Sequence, residues 1–78
     1  MPTYYNRNGI RIEMRLRENG HNEPHVHAIY SGEDMSVSIR SIKRLSGNII
    51  NNKARKEAFR WIQENQDFLI EEWRKYHV

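Results

Sequence analysis

The chain has 78 residues, no cysteine, and a formal net charge of +3 from 13 Lys+Arg against 10 Asp+Glu. That length holds one domain, 1–78, and the missing cysteine excludes disulfide bracing, a thiolate nucleophile and any cysteine-based metal site. The mild positive charge permits a polyanionic partner without requiring one. No apolar run approaches the roughly 20 residues that span a bilayer. The opening Met1-Pro2-Thr3-Tyr4-Tyr5 lacks the regions of a signal peptide. The expectation is a cytoplasmic protein with no membrane partner.

The first clear element is Ile10 to Leu16, where Ile10, Ile12, Met14 and Leu16 alternate with Arg11, Glu13 and Arg15. Period two marks a half-buried strand. Asn6-Arg7-Asn8-Gly9 precedes it as a turn signal, and Glu18-Asn19-Gly20 ends it. A second strand is predicted from His25 to Tyr30, because Pro24 has no N–H for a ladder and belongs before a strand. Ser31-Gly32-Glu33 turns the chain into a third strand, Asp34 to Ile39, with Met35, Val37 and Ile39 on one face and Ser36 and Ser38 on the other. A short fourth strand is expected over Ile42 to Leu45, closed by Gly47-Asn48.

The period then changes. Asn51 or Asn52 is a suitable N-cap. Ala54, Ala58, Trp61, Ile62, Leu69, Trp73 and Tyr76 follow at spacings that place them on one helical stripe. The polar stretch Gln63-Glu64-Asn65-Gln66-Asp67 is either the exposed flank of one long helix or a kink between two short ones, and two short helices are favoured. Strands followed by helices give an α+β fold: an antiparallel sheet of three to four strands with a C-terminal helical layer on one face, Trp61, Leu69 and Trp73 pointing inward.

Three of the four histidines fall in His21-Asn22-Glu23-Pro24-His25-Val26-His27. On a strand, His25 and His27 point to the same face with Cα atoms roughly 6.5 Å apart. His21 lies in a loop that can fold back toward them, and Pro24 stiffens the approach. Glu23 supplies a carboxylate to orient an imidazole or complete a coordination shell. Two chemistries fit. His21, His25 and His27 can bind a divalent metal ion and leave a position open for water. Alternatively the same three serve as metal-free catalytic acids and bases for phosphodiester cleavage, with Arg11, Arg15 and Arg17 stabilising the developing anion or binding nucleic-acid phosphates. The plain alternative is that alternate polar residues simply occupy the wet face of a strand. Read as wet-face side chains, the imidazoles contribute within about 0.5 kcal/mol to stability. His77, near the C-terminus, reads as exposed and without a role.

Trp61 and Trp73 resemble a base-stacking platform, but their place on the apolar stripe assigns them to the core. Arg40, Lys43 and Arg44 form a second basic group. Lys53, Arg55, Lys56 and Arg60 open a helix where acidic residues suit the dipole better, which marks a candidate basic partner-binding patch.

Pro2-Thr3, Gly9-Ile10-Arg11-Ile12, the cluster His21 to His27, Leu45-Ser46-Gly47, and the series Trp61, Asn65, Leu69, Trp73 agree in order and spacing with one known pattern. The chain resembles a widespread family of small bacterial proteins catalogued as a domain of unknown function (serial four-one-six-zero). Members often sit beside a second small gene in what look like toxin–antitoxin modules. The resemblance therefore implies the toxin half of such a pair, with a small antitoxin protein encoded nearby as its partner, and it carries the family's clustered histidines over to His21, His25 and His27. The sequence departs from the family's Pro-Pro before the middle histidine, having Glu23-Pro24 instead. The leading expectation is a histidine-dependent enzyme acting on RNA or another phosphate substrate. The alternatives are a non-catalytic nucleic-acid- or protein-binding module, or a small metal-binding protein.

Overall fold

The computed structural model describes residues 2–15 and 23–76. Expectations that concern Leu16, Arg17, the Glu18-Asn19-Gly20 turn, His21 and His77 lie outside the described residues. Five strands and two helices follow in order: β1 (Thr3–Arg7), β2 (Ile10–Glu13), β3 (His25–Tyr30), β4 (Glu33–Ser38), β5 (Arg44–Gly47), α1 (Asn52–Glu64) and α2 (Gln66–Tyr76). The fold is α+β. The strands form one antiparallel meander in the order β1-β2-β3-β4-β5.

The expected three to four strands are corrected to five. The addition is β1, which lies at the sheet edge, bulges between Thr3 and Tyr5 and carries no aliphatic alternation. It is held by its ladder with β2 and by two tyrosine rings, so a hydrophobic period is not needed to place it. The Asn8-Gly9 pair is a hairpin joining β1 to β2, with φ of 54° and 78°. Positive φ at both central residues is the type I′ geometry that Asn-Gly favours. The fourth expected strand also moves. Ile42 sits at φ 54° in a turn closed by its N–H on the Ser38 carbonyl, and pairing begins only at Arg44.

The register divides the sheet into two unlike faces. Ile12 stands opposite Ala28, Ala28 opposite Met35, and Val26 opposite Val37. These residues share the apolar face, and all are buried. Helix α1 lies on this face, contributing Ala54, Ala58 and Ile62. Each fully buried aliphatic side chain is worth about 1.5–3 kcal/mol. Asn51 caps α1, its side-chain oxygen accepting from the Ala54 N–H at 2.9 Å.

Asn65 ends α1: its carboxamide donates to the Trp61 carbonyl at 2.8 Å, while its own carbonyl accepts from Leu69 in the next helix. Helix α2 then crosses the end of the sheet where β1 and β3 start and β4 finishes. Gln66 donates to the Ile39 carbonyl, Phe68 meets Tyr4 edge-on at 5.5 Å, and Trp73 packs on His25 at 5.1 Å. Leu69 is buried, and Trp61 and Trp73 are half-buried. Tyr76, the last residue of the expected stripe, is exposed. Among the described residues no helix is long and apolar enough to cross a membrane.

Candidate functional site

The second face of the sheet is polar. Glu13 pairs with His27, His27 with Ser36 and Ser36 with Ser46, while His25 pairs with Ser38 and Arg11 with Ile29, which faces Asp34. Cross-strand partners share a face, so one patch collects His25, His27, Glu13, Asp34, Ser36 and Ser38. His25 and His27 do project together, their rings 5.4 Å apart and 71° from coplanar.

This face is not wet. His25 is 1% exposed and His27 6%, and Glu13, Ser36 and Ser38 are buried with them. The expectation of nearly dispensable surface imidazoles is therefore corrected. A buried imidazole must have its hydrogen bonds met inside the protein, and both rings do. His25 Nδ1 lies 2.8 Å from the Glu23 carbonyl. A carbonyl only accepts, so Nδ1 carries a proton, which in a neutral ring is the Nδ1–H tautomer. His27 Nδ1 lies 2.9 Å from Asp34 Oδ1, which selects the same tautomer.

Arginines complete the patch. Arg15 reaches Asp34 Oδ2 at 2.5 Å through Nη2 and Glu13 Oε2 at 3.1 Å through Nε, and Arg11 holds the other Glu13 oxygen at 3.0 Å. The result is an unbroken chain Arg11–Glu13–Arg15–Asp34–His27. Burial pushes the Asp34 carboxyl up, but the hydrogen bonds from His27 and Arg15 outweigh it and hold the group below its ordinary value. Burial acts downward on the Arg15 guanidinium, and its bonds to Asp34 and Glu13 bring the net shift upward. The patch grades from buried at His25 to open at its rim, where the Arg11 and Asp34 side chains are 52% and 39% exposed.

Of the residues singled out from sequence, the structure brings together His25, His27, Arg11 and Arg15. His21 and Arg17 lie outside the described residues. Both described arginines are engaged by carboxylates, so their charge is compensated locally. Glu23 orients an imidazole, but through its backbone carbonyl; its carboxylate takes a hydrogen bond from Ser38 Oγ. Sequence reasoning missed Asp34 and Glu13. The available signal was the polar alternation Asp34-x-Ser36-x-Ser38 set against His25-x-His27, legible only once the strands are in register.

A family comparison matches residues 9–74 to a domain of unknown function, DUF4160. The chain belongs to the DUF4160 family. The match takes in the whole polar patch, from Arg11 to Ser46, and both helices as far as Arg74. Neither the curated proteins nor the solved structures yield a match. Among the described residues of this DUF4160 chain no group of three or more His, Asp or Glu is placed to hold a metal ion.

Proposed function

We propose that this DUF4160 protein is the toxin half of a two-gene pair and acts as a histidine-dependent enzyme on RNA or another phosphate substrate. The observation that carries the reading is the His27–Asp34 dyad beside His25. A carboxylate on Nδ1 fixes ring orientation and tautomer and presents Nε2 as the atom that takes and returns a proton. A second imidazole 5.4 Å away provides the complementary donor that phosphodiester cleavage needs: one ring removes the proton from the attacking oxygen, the other protonates the leaving oxygen. The guanidinium groups of Arg11 and Arg15 at the rim supply positive charge for the anion that develops.

The burial of both rings favours a second reading. The same face, fully bonded inside, serves as a structural polar layer in a non-catalytic binding module. One paired experiment separates the two. Wild type, His27→Ala and Asp34→Asn are induced in cells lacking the neighbouring gene, and the purified proteins are melted and incubated with a labelled RNA. The enzyme reading expects growth arrest and RNA cleavage by wild type, both lost in Asp34→Asn while its fold persists. Harmless wild type, or cleavage unchanged in folded His27→Ala, removes the catalytic assignment.

A further inference from the structure

The two helices treat their dipoles in opposite ways. Helix α2 follows the usual rule, with Asp67 in its first turn and Arg74 and Lys75 in its last, the two cations paired to Glu71 and Glu72. Helix α1 has no acidic residue in its first turn, where Lys53 and Arg55 stand, and Lys56 opens the next turn. Positive side chains at the positive end of a helix are unfavourable.

The local acid relieves this only in part: Glu57 feels the charges of Lys53 and Arg60 but among the described residues forms no ion pair with them. Glu57 is the carboxylate one turn from both Lys53 and Arg60, the spacing at which helix ion pairs form. It is turned instead toward β1 and the first hairpin, accepting from Tyr5 Oη at 2.5 Å and from the Asn8 carboxamide at 3.1 Å. Lys53, Lys56 and Arg60 are exposed and make no hydrogen bond or ion pair among the described residues. Arg7 ends β1 opposite Ile10, next to the Asn8 that bonds Glu57, which brings a fourth cation to this side of the domain.

Two grooves meet at Lys53 and Glu57. One, of about 300 Å3, is walled only by Lys53, Lys56, Glu57 and Arg60. The other, of about 310 Å3, has Ile10 and Ala54 in its lining and carries the Tyr30 ring and the carboxamides of Asn8 and Asn51. A protein partner would need apolar anchors, and a lipid surface would need inserted apolar side chains. The charged groove has neither. Phosphates need only the cations, and a base finds a ring to stack on and amides to bond in the adjoining groove. The cations from Lys53 to Arg60 run about 10 Å along one helix face, which suits consecutive phosphates of one strand better than two backbones across a duplex groove.

We propose that the amino-terminal half of α1, with Arg7 and Tyr30, binds single-stranded nucleic acid, phosphates on Lys53, Lys56 and Arg60 and a base beside Tyr30. Because α1 covers the sheet face opposite His25 and His27, this surface is separate from the histidine patch and stands without the catalytic reading.

The test is fluorescence anisotropy of a labelled twelve-nucleotide oligouridine across a salt series. Wild type should bind with steep salt dependence. The variant K53Q/K56Q/R60Q should bind at least about tenfold more weakly, its log–log salt slope smaller by about two. Tyr30→Leu should weaken binding with the slope unchanged, which separates base from phosphate contact. Unaltered affinity in the triple variant overturns the assignment, and so does tighter binding to a duplex of equal length or to poly-glutamate.

Discussion

The centres of the two faces of this sheet are both buried and are chemically opposite. On one, Ile12, Ala28, Met35, Val26 and Val37 meet an amphipathic helix, and burial needs nothing but complementary shape. On the other, His25, His27, Glu13, Ser36 and Ser38 are buried to the same degree, and every one of them needs a partner. Small domains have little interior to spare, so a polar layer of this size is a substantial commitment. The apolar face is tolerant of which aliphatic group fills it; the polar face depends on particular atoms. His25 needs the Glu23 carbonyl, His27 needs Asp34, and Glu13 needs two guanidinium groups.

The comparison can be broken most directly on the apolar side. Ile62→Ala removes a fully buried side chain of α1 and is expected to cost about 2–5 kcal/mol in denaturant unfolding. His25→Ala is the matching change opposite. It strips the ring that packs on Trp73 and leaves the Glu23 carbonyl without its donor, for an expected loss of about 1–3 kcal/mol. A loss within about 0.5 kcal/mol, the range of ordinary surface changes, would show that the polar face behaves as a wet one.

The His27–Asp34 contact sharpens the comparison through its pH dependence. Asp34 is held below its ordinary value in the folded protein. A carboxyl depressed on folding stabilises the fold above its unfolded value and loses that contribution as pH falls through the folded one. The melting temperatures of wild type and Asp34→Asn should therefore differ near neutral pH, and the difference should shrink as pH falls below the ordinary carboxylate value. A constant offset across that range would mean that the carboxylate charge contributes nothing to holding His27.

Much of this fold was legible before any coordinates, and the reasons differ by element. Strand β3 was bracketed correctly because Pro24 cannot enter a ladder and Ser31-Gly32 turns the chain. The break between the helices was visible in Gln63 to Asp67, since Asn65 can cap with its own carboxamide. Strand β1 was hidden: an edge strand held by tyrosines shows no aliphatic period. The side-by-side histidines followed from a period of two. Their burial did not, because alternation says which residues share a face and is silent on what covers it. Asp34 and Glu13 needed the register, a property of three strands at once. Glu23 holds His25 through a backbone carbonyl, which any residue supplies, so its side chain is not what positions that ring.

The smallest effect is the most discriminating within the polar layer. Arg11 and Arg15 both bond Glu13, but they are not equivalent. The Arg11 side chain is 52% exposed and among the described residues pairs only with Glu13, whereas Arg15 is 31% exposed and joins Glu13 to Asp34. An exposed ion pair is worth about 0.2–1 kcal/mol, so Arg11→Met should lie at that level, with Glu13 still held by Arg15. Arg15→Met leaves the buried Glu13 carboxylate with one exposed partner and removes the second contact on Asp34, so its loss should be the larger of the two. It should also couple to His27→Ala in a double-mutant cycle by at least about 0.5 kcal/mol, while Arg11→Met stays additive with it. Equal losses, or coupling at Arg11, would mean that the arginines act as a diffuse field over the patch. The expected asymmetry would instead make Arg15 the link through which the acidic residues of β2 and β4 hold the histidine of the strand between them.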